Sequence, residues 1–434
     1  MIETPFGQSL SNAIPCSSSA EEKTEGFDNG QVRTSPGHPQ PCRGHGDLTI
    51  SPNGLDDTLA LYVHWPFCVS KCPYCDFNSH VRDTVDEDAW REALLADLAH
   101  EARETPGRRL TSIFFGGGTP SLMPPATVEA LIDAAGAHWN FADAIEITLE
   151  ANPSSVEATR FADLAAAGVN RVSLGVQSLD DDALDFLGRA HDASEALMAL
   201  GTAQSAFRRV SFDLIYALPN QSEAKWRREL SQALSFGTEH LSLYQLTIEP
   251  GTRFATLAAS GALEPIDPDR AAALYELTRH LTGAAGLPAY EISNHARPGE
   301  ESRHNLAYWR YQPYSGIGPG AHGRRNRRAT LRHRKPENWL GAVARNGHGL
   351  AEEADIAPAD RGVEALLMGL RLAEGVDLDR IAALAETESD RLVDRKAIDR
   401  LEGLGLVSRS GPRLAATARG MLLLDSLLGE VVRT

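Results

Sequence analysis

The sequence predicts an α/β fold: an incomplete (β/α)6 barrel followed by a mostly helical, winged-helix-like C-terminal domain. Three observations carry this. From Leu59 onward, short apolar runs alternate with amphipathic stretches six times, the pattern of βα units with parallel pairing. Most of these runs end in polar or glycine-rich residues, where barrels of this kind place their chemistry. Residues 360–428 give three helices, a hairpin and a closing apolar helix. A closed eight-fold barrel is the nearest alternative.

Taken in order, residues 1–57 are rich in Ser, Gly, Pro, Asn and Glu and lack apolar periodicity, so disorder is expected there. Leu59–His64 reads as a strand that ends in a cysteine loop. Asp86–Arg103 reads as a helix, with Trp90, Leu94, Leu95 and Leu98 at helical spacing and acids at its start. Thr111–Phe115, Ile145–Leu149, Arg171–Leu174, Val210–Tyr216 and Leu241–Leu246 are the further strands. Helices are expected at Ala126–Trp139, Ser155–Ala167, Asp180–Leu187, Ser194–Ala206 and Glu223–Phe236. Beyond residue 250, Asp267–Ala285 reads as a helix, Ala289–Ile292 as a short strand, His304–Tyr311 as a helical turn and Tyr314–Gly323 as a glycine-rich turn. Helices at Asp360–Leu372, Asp377–Ala385 and Asp390–Leu404 precede a hairpin turning at Ser410-Gly-Pro and a helix at Gly420–Leu428. The expected domains are 58–250 for the barrel, 251–335 for an extension of it and 336–434 for the C-terminal domain.

The chain has 434 residues, 42% hydrophobic and 23% charged, with a formal net charge of -17. Those values fit a globular protein and argue against a general nucleic-acid binder; the run Arg324-Arg325-Asn326-Arg327-Arg328, with Arg332, His333, Arg334 and Lys335, is the one candidate basic patch. No run of 18 apolar residues and no secretory signal is present, so a cytoplasmic protein is expected. Of the five cysteines, three lie in eight positions, which reads as a metal site in a reducing compartment. Cys16 and Cys42 read as bystanders, even with His38 and His45 near them.

The cysteine loop is Tyr62-Val-His-Trp-Pro-Phe-Cys68-Val-Ser-Lys-Cys72-Pro-Tyr74-Cys75-Asp-Phe77. Three thiolates can hold three irons of a four-iron cluster and leave the fourth open to a small molecule. A zinc site completed by His80 or His64 is the alternative. Gly116-Gly117-Gly118-Thr119-Pro120 follows a strand, and backbone without Cβ atoms lets a ligand approach. Glu150, Gln177 and Asp213 lie on successive strands or at their ends and can bind ribose hydroxyls; otherwise Glu150 reads as a surface acid and Gln177 and Asp213 as satisfied polar groups of a barrel rim. Arg189 can pair a carboxylate or point to water.

These motifs together resemble the radical S-adenosylmethionine enzymes, and within them the coproporphyrinogen oxidase-like group of HemN and HemW. The resemblance covers residues 59–434 and includes Phe114–Ser121, Leu174–Ser178, Asp213–Tyr216, Leu241–Gly251 and Gly316–Gly323. It implies that Cys68, Cys72 and Cys75 hold a [4Fe-4S] cluster. It further implies that Tyr62, Tyr74, Gly117, Gly118, Thr119, Glu150, Gln177, Arg189 and Asp213 surround the cluster and S-adenosylmethionine. Such a site supports reductive cleavage of that cofactor to methionine and a 5′-deoxyadenosyl radical, with the protein positioning the cofactor.

HemN-type oxidases carry a further cysteine two positions past the third, where this chain has Phe77. The Cys-Asp-Phe sequence and His304-Asn305-Leu-Ala-Tyr308-Trp309 are similar to the HemW type, whose members are regarded as heme chaperones. Heme, acceptor hemoproteins including membrane-bound ones, and an electron donor are then the implied partners. A homodimer and a peripheral place at the inner membrane are compatible with that. Imidazole can ligate heme iron, and Tyr308 with Trp309 offers flat apolar surface; on residue types alone the same motif also reads as a core aromatic pair with a bonded histidine. Oxygen-independent coproporphyrinogen III oxidation is the rival activity. A scaffold that binds a partner through its winged-helix-like tail is a third reading.

Overall fold

The computed structural model describes residues 57–433 except Asp83. The N-terminal expectation of disorder, and Cys16, His38, Cys42 and His45, lie outside the described residues. The strands are β1 (Thr58–Trp65), β2 (Phe67–Cys68), β3 (His80–Val81), β4 (Arg109–Gly117), β5 (Asn140–Ala151), β6 (Arg171–Gln177), β7 (Arg209–Tyr216), β8 (His240–Gln245), β9 (Asn294–Ala296), β10 (Tyr314–Ile317), β11 (His322–Arg325), β12 (Arg328–Arg332), β13 (Leu350–Asp355), β14 (Val376–Asp377), β15 (Val407–Ser410) and β16 (Arg413–Ala416). Eleven form one sheet in the order β13-β12-β11-β10-β1-β4-β5-β6-β7-β8-β9. Its centre is the run of six expected strands, β1 and β4 to β8, all parallel. The barrel stays incomplete because the run is flanked by β10 on one side and by antiparallel β9 on the other.

Alternation along the strands explains which face holds what. One face buries Leu59, Leu61 and Val63, Ile113 and Phe115, Ile147 and Leu149, and Val172 and Leu174 under the surrounding helices. The other carries polar side chains that bond across strands. Arg209 Nη1 donates to Glu146 at 2.7 Å, Ser173 Oγ to Asp213 at 3.2 Å, and Ser211 Oγ meets His240 Nδ1 at 2.7 Å. A polar interior with an apolar jacket is what a ligand-holding barrel needs.

Five stretches differ from expectation. Ala289–Ile292 is not a strand and makes only an isolated bridge from Ala289 to His295. The Glu291 carboxylate accepts from Ser293 N and Asn294 Nδ2, which folds the segment into a turn, and pairing starts at β9. Tyr314–Gly323 is not only a turn: it holds β10 and the start of β11. Gly316 is needed for close approach, since a Cβ there would lie 1.9 Å from the His322 carbonyl oxygen. Ser155–Ala167 and Asp390–Leu404 each break into two helices, Ser155–Ala158 with Phe161–Ala166 and Ser389–Leu392 with Arg395–Gly403.

The fifth difference is the basic run. It forms β11 and β12, with Arg325 and Arg332 1% and 0% exposed. Arg332 reaches Asp97 at 3.0 Å and Glu101 at 2.7 Å, and Arg325 reaches Glu101 at 2.7 Å. Both acids project from the helix Glu87–Glu104. Arg325 and Arg332 thus form an internal ion network that clamps the extension to the barrel, while Arg327, Arg334 and Lys335 stay exposed. The strands β9 to β13 continue the sheet of the barrel, and β10 pairs with β1. The C-terminal region has the expected helices and the β15–β16 hairpin, which β14 extends to three strands.

Candidate cluster and cofactor site

The cysteine loop leaves β1 at the C-terminal edge of the sheet and is fixed at several points. Gly118 N donates to Trp65 O at 2.7 Å and Thr119 N to Phe67 O at 2.8 Å, so the glycine turn after β4 is laced to the loop's start. A Cβ on Gly118 would lie 2.6 Å from the Phe67 oxygen, and one on Gly117, whose φ is +113°, 2.6 Å from the His64 ring. Those contacts explain why side chains are excluded here. At the loop's far end Asn78 Nδ2 donates to Pro319 O and Arg334 O, both at 2.9 Å. Between them, Phe254 N donates to Pro73 O at 3.0 Å, and Tyr74 packs with Leu187, Ile215, Leu218 and Phe254.

Cys68, Cys72 and Cys75 are free and partly buried. Burial pushes the Cys75 thiol up to about 11 and raises Cys68 as well, so iron binding there is coupled to proton release. Two sulfurs receive donors: Thr119 Oγ1 lies 3.5 Å from Cys68 Sγ and Arg189 Nη1 3.3 Å from Cys72 Sγ. The zinc alternative does not fit. His64 Nε2 bonds the Asn78 carbonyl and its Nδ1 the Tyr62 hydroxyl, both at 3.0 Å. His80 Nε2 is engaged with Asn78 Oδ1 at 3.3 Å. Three free thiols in one loop, two of them approached by donors, suit a multi-iron cluster.

The residues expected around S-adenosylmethionine converge from successive strand ends. Glu150, penultimate in β5, accepts from Gly117 N at 3.3 Å. Gln177 ends β6 with φ +70°, and its buried Oε1 has no protein partner. Arg189 Nη2 donates to Gly175 O at 2.9 Å, while its buried Nε is unpartnered. Asp213 lies deeper on β7, and burial raises its carboxyl above the usual range. Unsatisfied buried acceptors and donors are rare. Here they sit beside a backbone stripped of Cβ atoms, which fits a polar organic cofactor.

A family model described as the Radical SAM superfamily matches residues 62–232, and one described as the HemN C-terminal domain matches 356–423. The chain is 39% identical over 380 residues to the protein of Escherichia coli named heme chaperone HemW, covering 85% of this chain and 97% of that one. The chain belongs to the HemW-like branch of the radical SAM superfamily. It is also 40% identical to the Bos taurus protein named radical S-adenosyl methionine domain-containing protein 1, mitochondrial, over 87% of this chain and 88% of that one. The solved structure of HemN from Escherichia coli matches with a TM-score of 0.73 at 22% identity, over 87% and 90% of the two chains; at that identity it shows the shared fold.

In this HemW-like chain the motif His304–Trp309 lies away from the cysteines. It forms a short helix, Arg303–Trp309, capped by Ser302. That helix docks against the middle of β4 and β5: Glu146 accepts from Ser302 Oγ, Arg303 N and His304 N at 3.1–3.3 Å. His304 is 1% exposed. Its Nδ1 meets Ser112 Oγ at 2.9 Å and its Nε2 the Tyr308 hydroxyl at 3.0 Å. Burial lowers its pKa to about 3. Asn305 Nδ2 reaches Tyr290 at 3.5 Å, and the Trp309 Nε1 is buried without a partner. Rings nevertheless link the two regions: His304 stacks on Phe114 at 4.9 Å, and Phe114 on Tyr62 at 6.3 Å. Sequence reasoning missed Asn152 and Glu157, which bond several site residues; Asn152 follows Glu150 at the same strand end, and that position was the available signal.

Proposed function

We propose that this chain is a heme chaperone that holds a [4Fe-4S] cluster and S-adenosylmethionine at the site above and passes heme to acceptor hemoproteins. One observation carries the reading: near full-length similarity to a protein named heme chaperone HemW, at 39% identity. Phe77, at the position where the oxidase type carries a fourth cysteine, supports it. Cys68, Cys72 and Cys75 would hold the cluster; Gly117, Gly118, Thr119, Glu150, Gln177, Arg189 and Asp213 would hold S-adenosylmethionine. When bound, the cluster supplies low-potential electrons to that cofactor's sulfonium. The chain's own part is to orient the ligands through the strand ends and to exclude water beneath them. An electron donor is a further partner, and the cytoplasm is the proposed place of action.

Heme contact at His304, Asn305, Tyr308 and Trp309 belongs to the same proposal, under one condition set by the geometry. Both ring nitrogens of His304 are hydrogen-bonded, so ligation of iron there requires one bond to open. Titration of the purified protein with hemin tests the reading. A saturable Soret band that shifts in His304→Ala is expected. Absence of saturable binding would overturn the chaperone function, and an unchanged band in the variant would move the axial ligand elsewhere. Formation of protoporphyrinogen from coproporphyrinogen under anaerobic, reducing conditions with S-adenosylmethionine would establish the oxidase in its place.

A further inference from the structure

We propose that Asn152 is a positioning residue that sets the reduction potential of the cluster, by orienting two of the side chains that contact cysteine sulfur, Thr119 and Arg189. The inference rests on the cluster reading. Asn152 stands one residue past the end of β5 and joins two elements otherwise separate. Its Nδ2 donates to Thr119 Oγ1 at 3.2 Å, and its Oδ1 accepts from Arg189 Nη2 at 2.6 Å. Thr119 Oγ1 then lies 3.5 Å from Cys68 Sγ, and Arg189 Nη1 3.3 Å from Cys72 Sγ.

The chemistry of the partners fixes the amide's orientation. A guanidinium only donates, so the oxygen faces Arg189. A carboxylate only accepts, and Nδ2 lies 3.3 Å from Glu157 Oε1 while the Asn152 backbone N donates to Glu157 Oε2 at 2.8 Å. Glu157 is itself 4% exposed and bonded by Ser121 Oγ. Because Thr119 Oγ1 accepts the amide proton, its own hydroxyl proton is directed to sulfur. One amide thus points a neutral donor at Cys68 and a charged one at Cys72. Donors on thiolate sulfur stabilise the more negative, reduced cluster and raise its potential.

The test is an anaerobic redox titration of the reconstituted full chain, followed by electron paramagnetic resonance of the reduced cluster. Asn152→Ala removes both anchors, and a lower midpoint potential with unchanged iron content is expected. Asn152→Asp keeps an acceptor for Arg189 but draws the Thr119 hydroxyl away from Cys68, and a lower potential is again expected. A wild-type midpoint in both variants would overturn the inference. Should these variants take up no iron, Thr119→Ser and Thr119→Val decide. The serine form is expected to keep the potential and the valine form to lower it, and equal potentials overturn the inference. A wild-type chain that takes up no cluster would instead overturn the cluster reading itself, and this inference with it.

Discussion

At the scale of single residues, Gly118 is tightly constrained by the backbone of the cysteine region. The atom a Cβ would strike is the Phe67 carbonyl oxygen, which also accepts from Thr119 N, so neither side can yield without moving the loop. Gly118→Ala is expected to destabilise the chain by about 1–3 kcal/mol and to lower bound iron per chain after reconstitution. Wild-type iron content in a variant of wild-type stability would contradict this. His304→Ala removes a buried ring, two hydrogen bonds and a stacking partner, and about 3 kcal/mol of stability is expected to go with them; urea unfolding measures it. The cysteines, the glycine turn and Glu150 were legible because strand-end chemistry is written in adjacent residues. Asn152 was not, because its meaning comes from Thr119 and Arg189, more than thirty residues away on either side, and Glu157 acts through Asn152 and Ser121.

At the scale of elements, the helix Glu87–Glu104 does two things at once. It packs Trp90, Leu94 and Leu98 into the core, and it presents Asp97 and Glu101 to Arg325 and Arg332. Asp97 also accepts from Trp339 Nε1 at 3.2 Å and Gly349 N at 3.1 Å. Removing one member of such a network leaves a buried charge without its partner. Glu101→Gln is expected to cost about 3–5 kcal/mol, with the loss reading out in chemical denaturation. Burial raises the Glu101 carboxyl, but Arg332 and Arg325 outweigh that and hold it at about 2. A depressed carboxylate stabilises the fold above its unfolded value near 4.5 and loses that contribution as pH falls toward 2. Hydrogen exchange in β11 and β12 is therefore expected to rise first as acid is added through that window. The helix was legible from its apolar spacing. The ion network was hidden because its basic half reads, in sequence, like a surface patch.

At the scale of the whole molecule, burial of neutral imidazoles sets the acid limit of the fold. Burial lowers His64 and His191 to about 4 and His295 and His304 to about 3. Below about pH 6.5 the unfolded chain takes up protons that the folded chain refuses, so stability falls as pH drops from 6.5 toward 4. Urea midpoints at pH 7, 6 and 5 are expected to decrease in that order, and a flat series would refute the assignment. The parallel barrel was legible because each βα unit is local in sequence. The pairing of β10 with β1 was not legible, because it is a contact across more than 250 residues that no local pattern records.

That pairing also governs how the chain is made. β1 begins at residue 58 and β10 at residue 314. At about 5–20 residues per second, synthesis leaves roughly ten to fifty seconds between the two. During that time the β10 side of β1, which reads Leu-Ala-Leu-Tyr-Val over residues 59–63, is an open apolar edge of the kind that recruits other chains. The nascent barrel therefore passes through an aggregation-prone interval, and iron loaded early would enter a site whose Gly316–Gly323 wall has yet to emerge.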